Sequence, residues 1–382
     1  MHSSISRRTL LQAGALGAAS LALPWRADAA WRGYDKAIVI EGLGGPGDLG
    51  GIPGSPLTPA MVEDVRGSGI TCAHVTIEPV GTTAPDAAFV MAVRDILRWE
   101  REIDAHPQVF ARIRASADIV AAKKSGLTGL LYGFQDAVPF ETDLARLDDL
   151  YRLGIRVIQP TYNRRNLLGD GCLEPADAGL SKAGVEAIER MNALGILVDL
   201  SHCGRRTAAD AIRLSKRPVA FTHTGAYALA EHPRNRTDEE LRAVADKGGV
   251  SGIYFMPYLN AGKQPMATDV IRHLDHMIQV AGEDHVSIGT DGMISAAVLT
   301  QAYKDAFAKN IRERREAGIG APQETEEGYL FAADLNSPRK FELLAGLLAN
   351  RGYSERRIEK ILGANLMRVF GEAWQGGPPS AV

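Results

Sequence analysis

The sequence predicts an α/β fold: a closed barrel of eight parallel strands surrounded by helices, the (β/α)8 or TIM-barrel arrangement. Short apolar runs alternate along the chain with longer amphipathic stretches, which is the pattern of repeated β-α-β units in a parallel sheet. Eight apolar runs lie between residues 37 and 290, and eight strands close such a barrel. No internal repeat or linker indicates a second domain, so residues 31–382 are predicted to form one domain.

The predicted strands are runs rich in Val, Ile, Leu and Phe, each too short to be read as a buried helix. They span residues 37–41, 71–77, 129–134, 155–160, 196–201, 218–222, 250–255 and 286–290. Residues 294–336 lie beyond the eighth run and are predicted to form a helical insertion. Helices at about 338–349 and 354–370 are predicted to close the chain.

Local signals predict where three of the helices begin. The segments TAAD (207–210) and TDEE (237–240) match a capping box. In that motif a Thr side chain and an acid three residues later satisfy amide groups of the first turn. Ser337 followed by Pro338 predicts a further helix start, because proline is favoured at the first helical position.

The first 30 residues are predicted to be an export signal. The segment SRRTLLQ (6–12) places two arginines before an apolar run that ends at Pro24, and Ala27-Asp28-Ala29 matches a cleavage site. The run is shorter than the roughly 20 apolar residues that a spanning helix needs. The sequence therefore predicts export by the twin-arginine route to the periplasm, without membrane insertion after cleavage.

Composition excludes several classes of partner. The formal net charge is -3, which gives no electrostatic footprint for nucleic acid or an anionic membrane surface. The 3 cysteines are too few for a disulfide framework. We therefore expect a small-molecule substrate and no nucleic-acid partner.

Polar side chains follow several of the predicted strands at the end where barrel enzymes carry their chemistry. His202 and His223 follow the fifth and sixth runs, Gln135 follows the third, and Asp291 follows the eighth. Imidazole and carboxylate groups suit zinc and similar divalent ions. The sequence therefore predicts a zinc site at this end of the barrel, although a lone histidine at a strand end is more often structural than a ligand.

Several segments resemble the renal (membrane) dipeptidase family of metallopeptidases, family M19, whose members are amidohydrolase-type (β/α)8 barrels. The segments are VDLSHCGRRTAADAI, PVAFTHTGAYALAEHPRNRTDEE, PTYNRRNLLGDGC, VSIGTDG and ILGANLMRVFGE. They occur in the family's order and cover most of residues 125–370. The resemblance implies a metal-dependent hydrolase of dipeptides.

The resemblance also implies roles for individual residues. His202 and His223 would bind the second of two zinc ions, and Asp291 would contact the first ion and shuttle a proton. Arg234 would bind the terminal carboxylate of the substrate, a task that suits the paired donors of a guanidinium. Asn235 beside it is a further candidate for substrate binding. Members of the family commonly form dimers, so the analogy allows a homodimer.

Three departures from the family pattern bear on the metal site. Active relatives carry a His-x-Asp pair after the first strand, where this chain has Gly42, Leu43 and Gly44. Gln135 stands where relatives use a glutamate to bridge both ions, and a neutral amide cannot neutralise two cations in that way. Tyr162 stands where relatives have a histidine that polarises the substrate carbonyl, a task that a phenol can perform as a hydrogen-bond donor.

The sequence therefore predicts hydrolysis of a dipeptide or related small amide by metal-activated water. The metal site would have fewer ligands than that of the relatives and would hold one ion in place of two. One zinc ion would be held by His202, His223 and either Gln135 or Asp291, and Tyr162 would polarise the carbonyl group. The alternative expectation is that the protein binds no zinc.

Alternatives remain open at this stage. Glu41 and Asp48 are candidates to replace the missing ligands. A metal-free acid-base enzyme, a lyase or an epimerase, could use Asp291 with a histidine. A pseudoenzyme could bind a small carboxylate without turnover. A thiol hydrolase built on Cys203 is the weakest alternative, because adjacent residues of a strand point to opposite faces.

Overall fold

The structure is a computed structural model that describes residues 31–47, 55–81 and 84–376. The predicted export signal at 1–30 lies outside these residues. The same is true of Asp48 and of much of the glycine-rich loop that contains it. The role of Asp48 as a replacement ligand therefore stays a prediction.

The described strands follow the order that the sequence predicts, with three short additions. They are β1 (Ile40–Glu41), β2 (Gly44–Gly45), β3 (Cys72–Thr76), β4 (Phe110–Ile113), β5 (Thr128–Phe134), β6 (Ile155–Ile158), β7 (Leu197–Asp199), β8 (Val219–Thr224), β9 (Val250–Ile253), β10 (Val286–Ile288) and β11 (Gly292–Met293). The barrel wall runs β1-β3-β5-β6-β7-β8-β9-β10, and every neighbouring pair is parallel. The (β/α)8 prediction is therefore confirmed.

The ends of the sheet meet between β1 and β10. The amide of Gly42 donates to the carbonyl oxygen of Ile288 at 2.9 Å, and that of Asp291 donates to the carbonyl oxygen of Leu43 at 2.8 Å. Strands β2 and β11 then pair in parallel above this seam. On the opposite wall, β4 pairs with the first half of β5, and β6 pairs with its second half. The barrel is thus closed by short backbone contacts.

Helices lie between successive strands and after the last one. They are α1 (Pro59–Ser68), α2 (Pro85–Ala105), α3 (Ser116–Ser125), α4 (Arg146–Arg152), α5 (Lys182–Leu194), α6 (Arg205–Leu214), α7 (Asp238–Asp246), α8 (Ala267–Ala281), α9 (Gln301–Glu316), α10 (Lys340–Asn350), α11 (Glu355–Glu359) and α12 (Asn365–Ala373). Helix α9 forms the predicted insertion, and a π-helical turn at 360–364 joins α11 to α12. No helix in the described ranges is both long and apolar enough to span a bilayer.

One of the three predicted helix starts is confirmed. Thr237 caps α7 as expected, with its hydroxyl accepting the amide of Glu240. Helix α6 begins earlier than predicted, at Arg205, so that Thr207 lies inside it. The prediction failed because the carboxylate of Asp177, from a distant loop, accepts the amide of Arg206 at 2.6 Å and takes over the capping role.

The predicted start of α10 was also wrong by two residues. The helix begins at Lys340, whereas Ser337 and Pro338 form the turn that precedes it. The hydroxyl of Ser337 accepts the amide of Arg339 at 3.1 Å, which is a local side-chain turn and not a helix cap.

An apolar layer seals the end of the barrel at which the strands begin. One buried side chain from each of seven wall strands packs against helix α12 there. These side chains are Ile40, Cys72, Leu131, Val157, Leu197, Ala220 and Val250. Residues two positions further along a strand share its inward face, so polar side chains such as His74, Asp199 and Thr222 form the next layer. The chemistry is therefore confined to the carboxyl ends of the strands.

Candidate active site

The two histidines from neighbouring strands lie side by side at the carboxyl end of the barrel. His202 follows β7, and His223 lies in β8. The pairing register of β8 with β9 shifts between Phe221 and Thr224, and such an irregularity changes the direction in which the side chains of a strand point. Their ring centroids are 5.0 Å apart, and the ring planes are inclined by 53°. Both side chains are buried. The structure therefore brings the predicted pair together.

A hydrogen bond fixes which nitrogen of His202 carries the proton. Its Nδ1 lies 2.6 Å from Oδ1 of Asn163, and Nδ2 of Asn163 donates to the carbonyl oxygen of Ile319 at 2.8 Å. Because the amide nitrogen faces that carbonyl, Oδ1 faces the imidazole as an acceptor. Nδ1 of neutral His202 therefore carries the proton, and Nε2 carries a lone pair.

The tautomer of His223 is set by its neighbour in the chain. The hydroxyl of Thr222 donates to Oδ2 of Asp199 at 2.6 Å and lies 2.8 Å from Nδ1 of His223. A hydroxyl has one proton, so a hydroxyl that donates to the carboxylate must accept from Nδ1–H of the imidazole. His223 therefore also presents an unprotonated Nε2.

The two Nε2 atoms are suited to bind a cation. Both are buried, and neither has a hydrogen-bond partner within the described part of the chain. Burial holds the pKa of both imidazoles well below its ordinary value, and repulsion by the Arg234 guanidinium lowers each pKa further. Both rings are therefore neutral at neutral pH. A divalent ion requires neutral imidazole ligands of this kind, oriented by a hydrogen bond at the other nitrogen.

Asp199 holds together the two segments that carry the histidines, and sequence reasoning missed it. One carboxylate oxygen accepts the amide and the hydroxyl of Ser201 at 3.0 and 2.5 Å, and the amide of Thr222 at 3.1 Å. The hydroxyl oxygen of Ser201 accepts the amide of His223 at 3.2 Å. An acid within the apolar run ILVDLS was the available signal, since a buried charge requires such partners.

Tyr162 covers one face of the histidine pair. Its ring stacks on that of His202, with centroids 4.1 Å apart and planes inclined by 26°. Its hydroxyl oxygen accepts N–H groups from Nη1 and Nη2 of Arg314, each at 3.3 Å. Burial raises the pKa of the Tyr162 phenol, so the phenol is protonated at neutral pH. Nothing in the basic run IRERRE distinguishes Arg314, so its role was not predicted.

Asp291 lies in the same site. Its backbone has a positive φ of 57°, a region that aspartate tolerates better than most residues. Burial raises the pKa of its carboxyl group to about 7, and the charges of Arg234 and Arg314 oppose that rise. The negative charge of Asp291 in turn raises the pKa of Tyr162. A carboxyl group with this pKa can take up and release a proton near pH 7.

Arg234 contacts the backbone of the segments that carry the imidazoles, and it and Asn235 are almost fully buried. The guanidinium of Arg234 donates through Nη1 to the carbonyl oxygen of Ser201 and through Nη2 to that of His223, at 3.5 Å for the latter. Asn235 donates to two backbone carbonyls at 2.8 and 3.0 Å and accepts the hydroxyl of Tyr254. Both residues support the loops of the site. Their contact with a substrate carboxylate stays a prediction.

Gln135 and Glu41 are both held by neighbours at the barrel wall. Nε2 of Gln135 donates to the hydroxyl of Thr76 at 2.8 Å, and its buried Oε1 has no partner among the described residues. Its role as a ligand stays a prediction. The carboxylate of Glu41 accepts the amide and hydroxyl of Thr290 at 2.7 and 2.6 Å, and the amide of Leu43 at 3.3 Å. The carboxylate of Glu41 is thus held by Thr290. Burial raises the pKa of the Glu41 carboxyl group to about 7.

Cys203 does not reach the histidines. Its thiol lies in the main apolar core, and burial raises its pKa to about 12. A protonated thiol in apolar surroundings is a poor nucleophile. This position agrees with the low rank of a thiol hydrolase among the alternatives.

Two imidazole nitrogens without a partner in the described ranges are the groups of this site that could bind a metal ion. Within residues 31–47, 55–81 and 84–376, no three or more His, Cys, Asp or Glu side chains are arranged to hold a metal ion. The number of ions that the site binds therefore stays a prediction. The Nε2 atoms of His202 and His223, unpartnered within these same residues, are donors that suit a divalent ion.

The backbone around Gly42 and Gly44 leaves no room for a side chain at either position. A Cβ at position 42 would lie 2.7 Å from the carbonyl oxygen of Ile288, and a Cβ at position 44 would lie 2.5 Å from that of Gly292. We expect the double variant Gly42→His, Gly44→Asp to lose about 3 kcal/mol or more of unfolding free energy, because overpacking alone costs roughly 1–3 kcal/mol at each site. Urea unfolding followed by circular dichroism measures this loss.

Gly67 in helix α1 provides the control for this prediction. A Cβ at that position would meet no atom within 4 Å. Gly67→Ala should therefore raise the unfolding free energy by roughly 0.5–1 kcal/mol, the usual gain at an exposed helical glycine. A Gly42→His, Gly44→Asp protein as stable as the wild type, with a second bound metal ion, would contradict the steric argument.

Comparison with known proteins gives the family. Residues 63–307 match the model of the membrane dipeptidase family, peptidase family M19. Dipeptidase verJ of Clonostachys rogersoniana is 30% identical over 259 residues, which are 67% of this chain and 58% of that relative. The alignment thus spans less than two thirds of that relative's length.

Solved structures agree on the fold. An amidohydrolase from Pseudomonas aeruginosa superposes with a TM-score of 0.76 at 31% identity, over 89% of this chain and 98% of its own. A metallopeptidase from Rhodobacter sphaeroides, solved with a phosphinate mimic of the dipeptide L-Ala-D-Ala, gives a TM-score of 0.70 at 20% identity, over 88% of this chain and 100% of its own. The second likeness bears on the fold alone. Because the family model matches well over half of the sequence, this chain belongs to the membrane dipeptidase family, peptidase family M19.

Proposed function

We propose that this protein hydrolyses a dipeptide or a closely related small amide. One divalent ion, zinc, would be bound at a site that has fewer metal ligands than the two-ion centre of the family. The observation that carries the proposal is the pair of buried imidazoles of His202 and His223. Both rings are fixed as Nδ1–H tautomers, and both Nε2 atoms lack a partner among the described residues. Membership of a dipeptidase family supports the choice of substrate.

The side chains around the pair provide the other requirements of amide hydrolysis. His202 and His223 would hold the ion, which supplies Lewis-acid activation of a water molecule when bound. Asp291 accepts a proton from the attacking water and returns it to the leaving amine, which its pKa of about 7 permits. Tyr162 donates a hydrogen bond to the carbonyl oxygen as negative charge develops there. Arg234 would attract the substrate carboxylate through its positive charge.

The proposal includes the place of action. We propose that the twin arginine of residues 1–30 directs the folded protein to the periplasm, where small peptides would be the substrates. Fractionation of cells that express the full chain tests this, together with a variant in which Arg7 and Arg8 are both changed to lysine. Retention of the variant in the cytoplasm is expected, and equal export of both proteins would contradict it.

Metal analysis combined with a dipeptide panel tests the function. We expect protein purified without added metal to contain about one zinc ion per chain, as a catalytic site of this kind binds. Removal of the ion with a chelator should abolish dipeptide hydrolysis, and added zinc should restore it. A protein that binds small carboxylates but hydrolyses no dipeptide in the presence of zinc would be a pseudoenzyme, and the proposal would fail.

A metal-free acid-base reaction is the second candidate function. The observation that favours it is the carboxyl group of Asp291, whose pKa of about 7 suits proton transfer without an ion. A lyase or epimerase on this barrel would keep its turnover after chelation. Loss of all turnover on chelation would exclude this candidate.

A further inference from the structure

The segment from Arg314 to Glu324 completes the active site from outside the region that matches the family. It follows residue 307, where the family match ends. Arg314 lies in the last turn of α9 and reaches the hydroxyl oxygen of Tyr162 with Nη1 and Nη2, each at 3.3 Å. The carbonyl oxygen of Ile319 accepts from Asn163, the residue that fixes the tautomer of His202.

The guanidinium of Arg314 is itself held in place. Its Nε and Nη2 donate to the carboxylate of Glu324 at 3.1 and 2.9 Å. The hydroxyl of Tyr258 donates to the same carboxylate at 2.6 Å, and the ring of Tyr258 stacks on His232 with centroids 4.1 Å apart. Paired donors of this kind restrict the guanidinium to one orientation. Arg314 therefore approaches Tyr162 from a defined direction.

This contact determines what the Tyr162 hydroxyl can do. A phenolic oxygen accepts hydrogen bonds and has one proton to donate. Because the oxygen already accepts two N–H groups from Arg314, its proton must turn to a different acceptor. The ring of Tyr162 stacks on that of His202, so the hydroxyl group belongs to the same site and its proton is not used by Arg314. The cation on the oxygen also polarises the O–H bond and strengthens it as a donor.

We propose that Arg314 is a positioning residue that makes Tyr162 the hydrogen-bond donor to the carbonyl oxygen of the scissile amide. The inference rests on the proposed hydrolysis of a dipeptide. Arg314 and Tyr162 together would do what the resemblance assigns to a single histidine in relatives. A donor aimed at the oxygen that gains charge lowers the barrier and leaves substrate binding almost unchanged.

A double-mutant cycle tests whether the two residues act as one unit. Tyr162→Phe should lower kcat by roughly 10²-fold, the usual effect of losing one oxyanion donor. Arg314→Gln should lower kcat by about 10-fold or more, with KM within about twofold of wild type. In the Tyr162→Phe background, Arg314→Gln should change kcat by less than about twofold, because its target is already absent.

Two further variants keep the test clear of folding effects. Arg314→Gln combined with Glu324→Gln removes both charges, so that no buried carboxylate remains unpaired, and should show the same loss of kcat. Arg312→Gln is the matched control on the same helix, since Arg312 is half exposed and pairs with Glu326 at 2.6 Å. It should leave both kcat and KM unchanged.

The outcomes separate the inference from the proposed function. Dipeptide hydrolysis by the wild type with coupled effects of Arg314 and Tyr162 would support both. Hydrolysis with independent, multiplicative losses, or a rise in KM without a fall in kcat, would overturn the inference and leave the function standing. Absence of any dipeptide hydrolysis by the zinc-loaded wild type would overturn the function and the inference with it.

Discussion

Replacing His202 with alanine is expected to abolish dipeptide hydrolysis and to release the bound zinc. The variant removes one of the two buried imidazoles whose Nε2 atoms are unpartnered among the described residues. An ion held by His223 and oxygen ligands alone would bind far more weakly, because zinc sites need three or four protein ligands. The loss should exceed the roughly 10–100-fold cost of changing an outer partner of a metal ligand. Metal analysis and steady-state kinetics measure the two effects.

Two other variants calibrate this result. Asn163→Ala removes the acceptor at Nδ1 of His202 and the bond to the carbonyl oxygen of Ile319 but keeps both imidazoles, so a loss of roughly 10–100-fold in activity or metal affinity is expected. His106→Ala removes a histidine that lies at the end of α2, contacts Glu102 at 3.9 Å and should change neither quantity. If the His202→Ala protein kept its zinc and its activity, the imidazole pair would not be the metal site.

Replacing Arg236 with methionine is expected to cost roughly 3–5 kcal/mol of unfolding free energy, the range for breaking a buried ion pair. Arg236 is 1% exposed and donates to the carbonyl oxygens of Leu200, Ser201 and Cys203 at 2.9, 2.9 and 2.8 Å. It also pairs with Glu240 at 2.9 Å. Methionine fills similar volume but removes the donor that these three carbonyls share and the cation that faces the carboxylate of Glu240. Urea unfolding followed by circular dichroism measures the loss.

The control for this prediction lies on the next helix. Arg242 on α7 is half exposed and approaches Asp238 at 3.7 Å. Arg242→Met should change stability by no more than about 1 kcal/mol, as expected for an exposed ion pair. Equal losses for the two variants would show that burial of Arg236 does not determine the effect. Arg236 also holds the turn before His202. The activity of the Arg236→Met protein should therefore be lower than that of the wild type even at urea concentrations at which the variant is still folded.

Much of the barrel was predictable because its strands carry a strong local signal. All eight predicted runs became wall strands, since short stretches rich in β-branched residues are buried on both faces of a parallel sheet. Strand β4 was missed because its sequence, FARI, contains an arginine and lacks such a run. Strands β2 and β11, which pair above the seam of the barrel, consist mostly of glycine, and glycine has a low strand propensity.

Residues of the site were predictable from the sequence only where a polar side chain directly follows a predicted strand. The rings of His202, His223 and Tyr162 lie next to one another, and the charge of Asp291 raises the pKa of Tyr162, but their roles in a reaction stay predictions. Asp199 was overlooked because an acid within a strand gives no hint of its partners. The position of Arg314 depends on how the insertion folds back over the barrel, and no local pattern encodes that.

Helix starts failed where a distant side chain replaced the local one. The TAAD segment has the residue spacing of a capping box, yet Thr207 is buried and accepts the amide of Asp170 at 3.0 Å. Asp177 caps the first turn instead. Sequence spacing identifies a group that can cap, and the three-dimensional contacts decide which group does.

The carbonyl oxygens of Ile319 and Pro322, which accept from Asn163 and His232, belong to the main chain. Every amino acid supplies the same oxygen at these positions, so the intervening residues are free to diverge during evolution provided that the loop keeps its path and length. Insertions or deletions there should be far more damaging than substitutions. A catalytic contribution of this kind leaves almost no trace in aligned sequences and becomes visible only in three dimensions.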